Sequence, residues 1–301
     1  MEILLAEPRG YCAGVVRAVD IVELALTKIG APIYVRHEII HNQFVVNELK
    51  QKGAIFVEEI EEIPNDSTVI FSAHGVSPEV WSDAKTKNLN IIDATCPLVT
   101  KVHLEAIKYA KDGYTILLVG HKGHDEVIGT MGEAPNHTIL VEDIDHIESI
   151  KVLNPEKIVA LTQTTLSISD TSDIINKLKQ KFPKLITRND ICYATTNRQN
   201  ALSSMTENVD LVLVVGAKNS SNSNRLRELA SENGIEAYLI NGPEDLDDAW
   251  LIGKKTVGIT SGASTPEVLV NRVLAKLKPK NIKNIIFAEE NVNFKLPKEV
   301  I

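Results

Sequence analysis

Residues 90–113 have the sequence NIIDATCPLVTKVHLEAIKYAKDG, which predicts a strand, a turn and a helix in that order. The apolar start of this stretch is typical of a β-strand, and the apolar residues after Pro97 recur with helical spacing. Cys96 lies between the two, at the carboxyl end of the predicted strand. The same order occurs around Cys12, in EILLAEPRGYC, and around Cys192, in LITRNDIC. These cysteines are 84 and 96 residues apart, so the chain repeats one strand–cysteine–helix arrangement three times.

The three repeats also match beyond their cysteines. Each continues with strand patterns that alternate with helix patterns, and the strands that come next are APIYVRHEIIH, YTILLVGHKGH and DLVLVVGAKNSS. Alternation of strands and helices along a chain is typical of parallel sheets in an α/β fold. We therefore predict three small α/β domains with parallel sheets, related by a pseudo-threefold axis. Their predicted bounds are 14–95, 96–190 and 191–280, with 1–13 and 281–301 closing the ring beside the third domain.

Cys12, Cys96 and Cys192 are the only cysteines of the chain. An odd number of cysteines without a signal sequence argues against a disulfide framework. Three inert core cysteines are the simplest alternative. Ligands of open α/β sheets bind beyond the carboxyl ends of the strands, however, and three repeats that face a common axis would bring the thiols together there. The repeated strand-end position therefore favours one central metal site.

Two kinds of metal site are compatible with three cysteines. Zinc bound by three cysteines, with or without a histidine, is one interpretation, but zinc ligands usually come as close pairs such as C-x-x-C. An iron–sulfur cluster fits better because the chain contains no such pair. Ordinary electron-transfer clusters take four cysteines. Three cysteines would leave one iron without a protein ligand and able to bind a substrate.

Polar side chains recur at the strand ends of all three repeats. They are His41, His74, His124, Glu126, Thr164, Ser220, Ser221, Asn222 and Ser264. Histidine, hydroxyl and amide donors suit an anion with many acceptor oxygens, although helix capping is an equal interpretation for any single hydroxyl. Because the chain lacks both the P-loop and the GxGxxG patterns, a diphosphate is favoured over a nucleotide. Glu126 is the one carboxylate of the set and the natural proton source.

Composition limits the partners and the location. The formal net charge of −8 argues against a nucleic-acid partner, which usually needs a basic face. No apolar run approaches the roughly 18–20 residues that a membrane helix needs. The N-terminus, MEILLAEPRG, lacks the basic start of a signal peptide. We therefore expect a cytoplasmic protein with no nucleic-acid and no membrane partner.

Nine motifs follow one another along the chain: RGYCAGVVRA, HEIIHN, FSAHGVS, DATCPLVTKVH, GHKGHDEVIGTMGE, TQTTLS, ICYATTNRQ, GAKNSSNSNRL and GITSGASTPE. In this order they resemble the 4-hydroxy-3-methylbut-2-enyl diphosphate reductase family, also called LytB or IspH. The resemblance covers essentially the whole chain. It implies a reductive dehydroxylation that yields isopentenyl and dimethylallyl diphosphate, the last step of the methylerythritol phosphate pathway to isoprenoids. It also implies electrons from a ferredoxin or flavodoxin.

The resemblance implies a role for each candidate residue. Cys12, Cys96 and Cys192 would hold one [4Fe–4S] cluster at the centre of the three domains, with the open iron on the substrate's terminal hydroxyl. Glu126 would deliver a proton, and Thr164 would help to position that hydroxyl. The implied diphosphate-binding residues are His41, His74, His124, Ser220, Ser221, Asn222 and Ser264.

Three departures from the family pattern and two rival functions stay open at this point. The usual HPEV segment is HDEV here, the usual GTMGQ is GTMGE, and KNSSN is preceded by Ala217 where serine is common. Asp125 therefore stands beside Glu126, where like-charge repulsion is expected to raise the pKa of Glu126. The rivals are a quinolinate-synthase-like dehydratase, which also uses three cysteines but transfers no net electrons, and a non-enzymatic iron–sulfur sensor.

Overall fold

Thirteen strands form three separate parallel sheets in the computed structural model, which describes residues 1–301. The strands are β1 (Glu2–Glu7), β2 (Ile33–Arg36), β3 (Ala54–Val57), β4 (Thr68–Phe71), β5 (Asn90–Asp93), β6 (Thr115–Val119), β7 (Thr138–Val141), β8 (Ile158–Thr162), β9 (Ile186–Thr187), β10 (Leu211–Val215), β11 (Ala237–Ile240), β12 (Thr256–Ser261) and β13 (Asn281–Ile286). The strand orders are β3-β2-β4-β5, β7-β6-β8-β9 and β11-β10-β12-β1-β13. The predicted α/β class with three parallel sheets is confirmed.

Nine α-helices connect these strands. They are α1 (Ala13–Lys28), α2 (Gln43–Gln51), α3 (Pro78–Thr86), α4 (Pro97–Lys111), α5 (Asp125–Glu133), α6 (Ile168–Lys181), α7 (Tyr193–Thr206), α8 (Ser221–Glu232) and α9 (Glu267–Leu277). None of them is both long and apolar enough to cross a bilayer. Three of them, α1, α4 and α7, begin immediately after a cysteine.

The chain divides into two compact units. The one-sheet unit comprises Met1–Val16, His41–Val45 and Tyr193–Asn293, and the two-sheet unit comprises Arg17–Ile40, Val46–Cys192 and Phe294–Ile301. The one-sheet unit contains β1 and β10–β13, and its edge strand β13 pairs with β1 in the register Glu2 to Asn281. The three-domain bounds derived from the sequence stay a proposal.

The central strands are continuous apolar runs because helices cover both faces of each sheet. In the two-sheet unit, Leu117 and Val119 of β6 pack in a core with α6 on one face. Ile116 and Leu118 of the same strand pack on the other face with α4 and α5. Since successive side chains of a strand point to opposite faces, α4 and α6 lie on opposite faces of this sheet.

Close packing explains two glycines at the strand ends of the one-sheet unit. A Cβ atom on Gly262 would lie 2.1 Å from Ser223 Oγ, and one on Gly216 would lie 2.2 Å from the same atom and 2.7 Å from Ser223 Cβ. Ser223 is fully buried, and its hydroxyl has no hydrogen-bond partner. The loops after β10 and β12 therefore close around one serine, and neither position has room for a side chain.

The Gly262→Ala variant is expected to be destabilised by about 1–3 kcal/mol, the usual cost of overpacking a core. Adding Ser223→Ala should recover most of that loss, because it removes the clashing Oγ atom. The nearest remaining atom of residue 223 would then be its Cβ, 3.2 Å from the Cβ added at position 262. Chemical denaturation of the single and double variants measures both effects. The matched pair is Gly216→Ala with Ser223→Ala, which should recover less because Ser223 Cβ stays at 2.7 Å. Equal recovery in both pairs would contradict this account.

Candidate active site

The three cysteines share one backbone contact. Each cysteine amide donates a hydrogen bond to a carbonyl located two residues beyond the end of a strand, after β12, β4 and β8 respectively. The pairs are Cys12 to Ala263 (3.3 Å), Cys96 to Ala73 (2.9 Å) and Cys192 to Thr164 (3.0 Å). This bond satisfies an amide at a helix start that has no partner within the helix. It also ties each thiol-bearing residue to one of the polar strand-end loops.

The surroundings of the thiols suit a soft metal centre. None of the three cysteines is in a disulfide, and each is of intermediate exposure. The helices that follow them, α1, α4 and α7, have no acidic residue in their first turn, so no carboxylate competes there as a hard ligand. Thiolate sulfur is the donor that iron–sulfur clusters take. The donor set therefore fits such a cluster.

Glu126, Thr164 and Cys192 are brought together in the two-sheet unit. The Glu126 side chain is only 4% exposed, and its Oε1 accepts a hydrogen bond from the Thr164 amide at 3.0 Å. Thr164 in turn accepts from the Cys192 amide. Thr164, in the loop after β8, thus connects a buried carboxyl group to a cysteine, although Glu126 and Thr164 are 38 residues apart in sequence.

His124 caps the start of α5, and His74 lies in the loop after β4. The Glu126 amide donates to His124 Nδ1 at 3.2 Å, so the proton of the neutral imidazole is on Nε2. The His74 and His124 rings are edge to face, with centroids 5.9 Å apart. Two histidines in one cluster are donors for an anion when they are protonated on the atoms that face it.

Asp125 contacts two histidines. Its Oδ1 lies 2.8 Å from His37 Nδ1, and its Oδ2 lies 3.8 Å from His74 Nδ1. His37 has a backbone φ of 59°, in the left-handed region that few non-glycine residues adopt. The hydrogen bond with Asp125 raises the pKa of His37, against the opposing effect of burial. The sequence does not predict this pair, and its one signal is the aspartate that stands where the family pattern has proline.

The remaining candidates gather in the one-sheet unit. Ser220 caps α8, with its Oγ accepting from the Ser223 amide. Ser264 Oγ donates to the His41 carbonyl at 3.0 Å and lies 3.5 Å from Ser220 Oγ. Asn222 Oδ1 accepts from the Ala263 amide at 2.9 Å, and Asn222 Nδ2 is buried without a hydrogen-bond partner.

Two groups of candidate residues result. The one-sheet unit holds Cys12, His41, Ser220, Ser221, Asn222 and Ser264, and the two-sheet unit holds Cys96, Cys192, His74, His124, Glu126 and Thr164. Ser221 is the first residue of α8. The assignment of all of them to a single site stays a prediction.

Asp125→Asn should lower stability at acid pH and much less at alkaline pH. A histidine whose pKa is raised on folding stabilises the fold fully below its unfolded pKa, near 6.5, and this contribution disappears as pH rises through the folded-state value. We expect a loss of about 1 kcal/mol at about pH 5.5 and a smaller one at about pH 9, measured by urea denaturation. Asp173→Asn, at an exposed position of α6, is the control. A loss independent of pH would show that His37 charge is not involved.

Comparisons with known proteins agree along the whole chain. The LytB protein family profile matches residues 3–278. A 4-hydroxy-3-methylbut-2-enyl diphosphate reductase of Actinobacillus pleuropneumoniae serotype 7 (strain AP76) is 56% identical, over 100% of this chain and 98% of the relative. A 4-hydroxy-3-methylbut-2-enyl diphosphate reductase 2 of Burkholderia mallei (strain ATCC 23344) is 53% identical, over 99% of this chain and 93% of the relative.

Solved structures give the same result. The E-1-hydroxy-2-methyl-but-2-enyl-4-diphosphate reductase from Plasmodium falciparum matches with a TM-score of 0.96 and 42% identity, over 99% of this chain and 96% of that one. A second structure, described as the terminal enzyme of the non-mevalonate pathway, has a TM-score of 0.66 and 35% identity, over 92% and 99% of the two chains. Because the family profile and these relatives span nearly all of the sequence, the chain belongs to the LytB family of reductases.

Proposed function

We propose that this protein reduces 4-hydroxy-3-methylbut-2-enyl diphosphate to isopentenyl and dimethylallyl diphosphate, the last step of the methylerythritol phosphate pathway. In this reaction a carbon–oxygen bond breaks, two electrons and two protons are taken up, and the hydroxyl leaves as water. The observation that carries the proposal is the hydrogen bond that each cysteine amide makes to a strand-end loop. These loops contain His74, Thr164 and Ser264, so thiols and candidate substrate ligands occur as neighbours in each of the three repeats.

We propose further that Cys12, Cys96 and Cys192 hold one [4Fe–4S] cluster. When bound, this group supplies electrons and a Lewis-acidic iron that has no protein ligand. The absence of disulfides at these cysteines and of carboxylates in the first turns of the following helices supports this assignment. The proposed electron donor is a ferredoxin or a flavodoxin, and the proposed location is the cytoplasm.

The diphosphate is proposed to bind mainly through uncharged donors. The residues are His41, His74, His124, Ser220, Ser221, Asn222 and Ser264. The unpartnered Nδ2 of Asn222 supports this role, because a buried amide donor without a partner is costly until a ligand accepts from it. The start of α8 has no acidic residue in its first turn, and the positive end of a helix dipole favours an anion. Holding the unreactive diphosphate would fix the reacting carbon in position.

Glu126 is proposed to deliver a proton, and Thr164 to position the substrate hydroxyl. Their contact supports this pairing, because the Glu126 carboxyl group is held beside Thr164 by a backbone amide that can donate to it in either protonation state. The carboxyl group is nearly fully buried, which limits exchange of its proton with bulk water. A positioned acid next to the leaving hydroxyl is what general acid catalysis requires.

Cysteine variants test the proposed cluster. Cys12→Ser, Cys96→Ser and Cys192→Ser should each lose most of the bound iron and acid-labile sulfide, measured with visible absorption on anaerobically purified protein. Serine has nearly the size of cysteine and keeps the amide hydrogen bond, so the far-ultraviolet circular dichroism should not change. Stoichiometric zinc without sulfide in the unsubstituted protein would contradict the cluster. A variant that kept full cluster and turnover would remove its cysteine from the ligand set.

Turnover with and without a reductant tests the reaction itself. The reductase should convert the allylic diphosphate only when dithionite with methyl viologen is supplied, because each turnover consumes two electrons. A dehydratase of the quinolinate-synthase type would need no reductant. An iron–sulfur sensor would contain the cluster but would turn over no substrate.

Glu126→Gln should reduce turnover by about 10²–10⁴-fold, the usual contribution of a positioned proton donor. The glutamine can still accept the Thr164 amide hydrogen bond, so melting temperature and iron content should stay close to those of the unsubstituted protein. Glu133→Gln on the same helix is the matched control, because the family pattern already has glutamine there, and its turnover should be unchanged. A loss of stability in Glu126→Gln with normal turnover would mean that Glu126 only anchors the loop after β8.

A further inference from the structure

A groove of about 550 Å³ runs along the outer face of α4 in the two-sheet unit. Its lining begins at Thr95 and Pro97, which flank Cys96, and continues through Lys101, Leu104 and Lys108. These last three positions are three and four residues apart, so they form one stripe on the helix. The groove is therefore a surface that starts at a cysteine and extends away from it.

Exposed cations surround an exposed apolar residue in this groove. The Lys101 side chain is 50% exposed, the Arg188 side chain is 42% exposed, and Lys108 is also exposed. Leu104 lies among them at 61% exposure. An apolar centre with a charged rim is the usual anatomy of a protein–protein interface.

The nearby carboxylates offset part of this positive charge, because Lys101 and Arg188 each have one as an ion-pair partner. Asp190 is fully buried beneath Lys101, at 3.1 Å. Glu105 is only 19% exposed and lies 3.9 Å from the Arg188 guanidinium. Asp93 accepts from both the amide and the hydroxyl of Thr95.

Arg17 adds a further positive charge at the same wall of the groove. Its guanidinium donates to the backbone carbonyls of Asp93, Thr95 and Lys295, and it is paired with no carboxylate. Four cations thus stand against three carboxylates in and beside the groove, which keeps a small excess of positive charge on a chain whose formal net charge is −8.

We propose that this groove docks an acidic one-electron carrier protein, with Leu104 at the centre of the contact and Lys101, Lys108 and Arg188 at its rim. The inference rests on the proposed function, because a reductase whose redox centre includes Cys96 needs a place where electrons enter. The helical rise puts the stripe about 8–18 Å along the axis from Cys96, so a docked carrier would face the start of the same helix.

The dimensions favour a protein over a small anion. The cations do not converge on a point, because Lys101 and Lys108 are seven positions apart on α4 and Arg188 follows β9. An exposed leucine between them contributes nothing to binding a phosphate but contributes to a protein contact. Electrostatic complementarity mainly raises the rate of encounter, which suits a carrier that must bind, transfer one electron and leave.

The test compares two electron sources with the same holoenzyme. The variants are the double substitution Lys108→Glu with Arg188→Gln, and separately Leu104→Gln. Lys101 is left in place because it covers the buried Asp190 carboxylate. Turnover is measured with increasing concentrations of a reduced acidic ferredoxin. It is measured in parallel with dithionite-reduced methyl viologen, a small cation that a positively charged groove does not attract.

For the double variant, we expect the apparent KM for ferredoxin to rise roughly tenfold or more, with turnover on methyl viologen unchanged. Leu104→Gln should raise the same KM less, again without affecting viologen turnover. Raising the ionic strength should increase the KM of the unsubstituted enzyme and have little effect on the double variant, because salt screens exposed charges.

Lys179→Glu is the charge-matched control. Lys179 is exposed on α6, on the opposite face of the sheet from α4, and should leave both activities unchanged.

Two outcomes would overturn the docking proposal: an unchanged KM for ferredoxin in the double variant, or equal losses with both electron sources. Absence of viologen-driven turnover in the unsubstituted holoenzyme would instead reject the proposed function itself.

Discussion

The hydrogen bond from each cysteine amide to a carbonyl two residues beyond a strand is the contact on which the candidate chemistry depends. A helix start leaves its first amides without partners, and in this fold a loop carbonyl accepts one of them. The bond therefore fixes the cysteine, the helix and the loop together. The accepting residues are Ala73, Thr164 and Ala263. The candidate site residues His74 and Ser264 each directly follow an acceptor, and Thr164 is itself one. The same bond that satisfies a backbone amide therefore also fixes the position of a polar side chain.

The two departures from the family pattern on α5 have the same physical consequence. Asp125 pairs with His37 at 2.8 Å, and Glu133 pairs with the buried His103 at 3.1 Å. Each substitution adds a carboxylate whose charge faces an imidazole, so burying the acid costs less than it would alone. The Asp125 carboxylate is thus directed at His37, and the expected effect of its charge on Glu126 stays a prediction.

The fold could be predicted because its signals are local and repeated. The strand–cysteine–helix arrangement occurs three times, and parallel sheets follow from the alternation of strand and helix patterns along each repeat. The partners of individual side chains could not be predicted in this way. His37 and Asp125 are 88 residues apart, and nothing in either segment specifies a rotamer that joins them. The exposure of Leu104 could not be predicted either, because helical spacing shows which residues are apolar but not which side of the helix the sheet covers.

The net charge of the chain explains why the proposed diphosphate site and the proposed carrier groove would use different kinds of groups. A protein with a formal net charge of −8 repels both an anionic substrate and an acidic carrier at long range. A diphosphate enclosed by amide, hydroxyl and imidazole donors needs no fixed cations, because dipoles in a buried site act at short range and are little screened. A carrier protein is met at the surface, where water and salt weaken dipoles, so full charges are required. The donors proposed for the diphosphate are accordingly neutral groups, whereas the groove proposed for the carrier along α4 presents full charges, so each proposed surface uses the kind of interaction that suits its ligand.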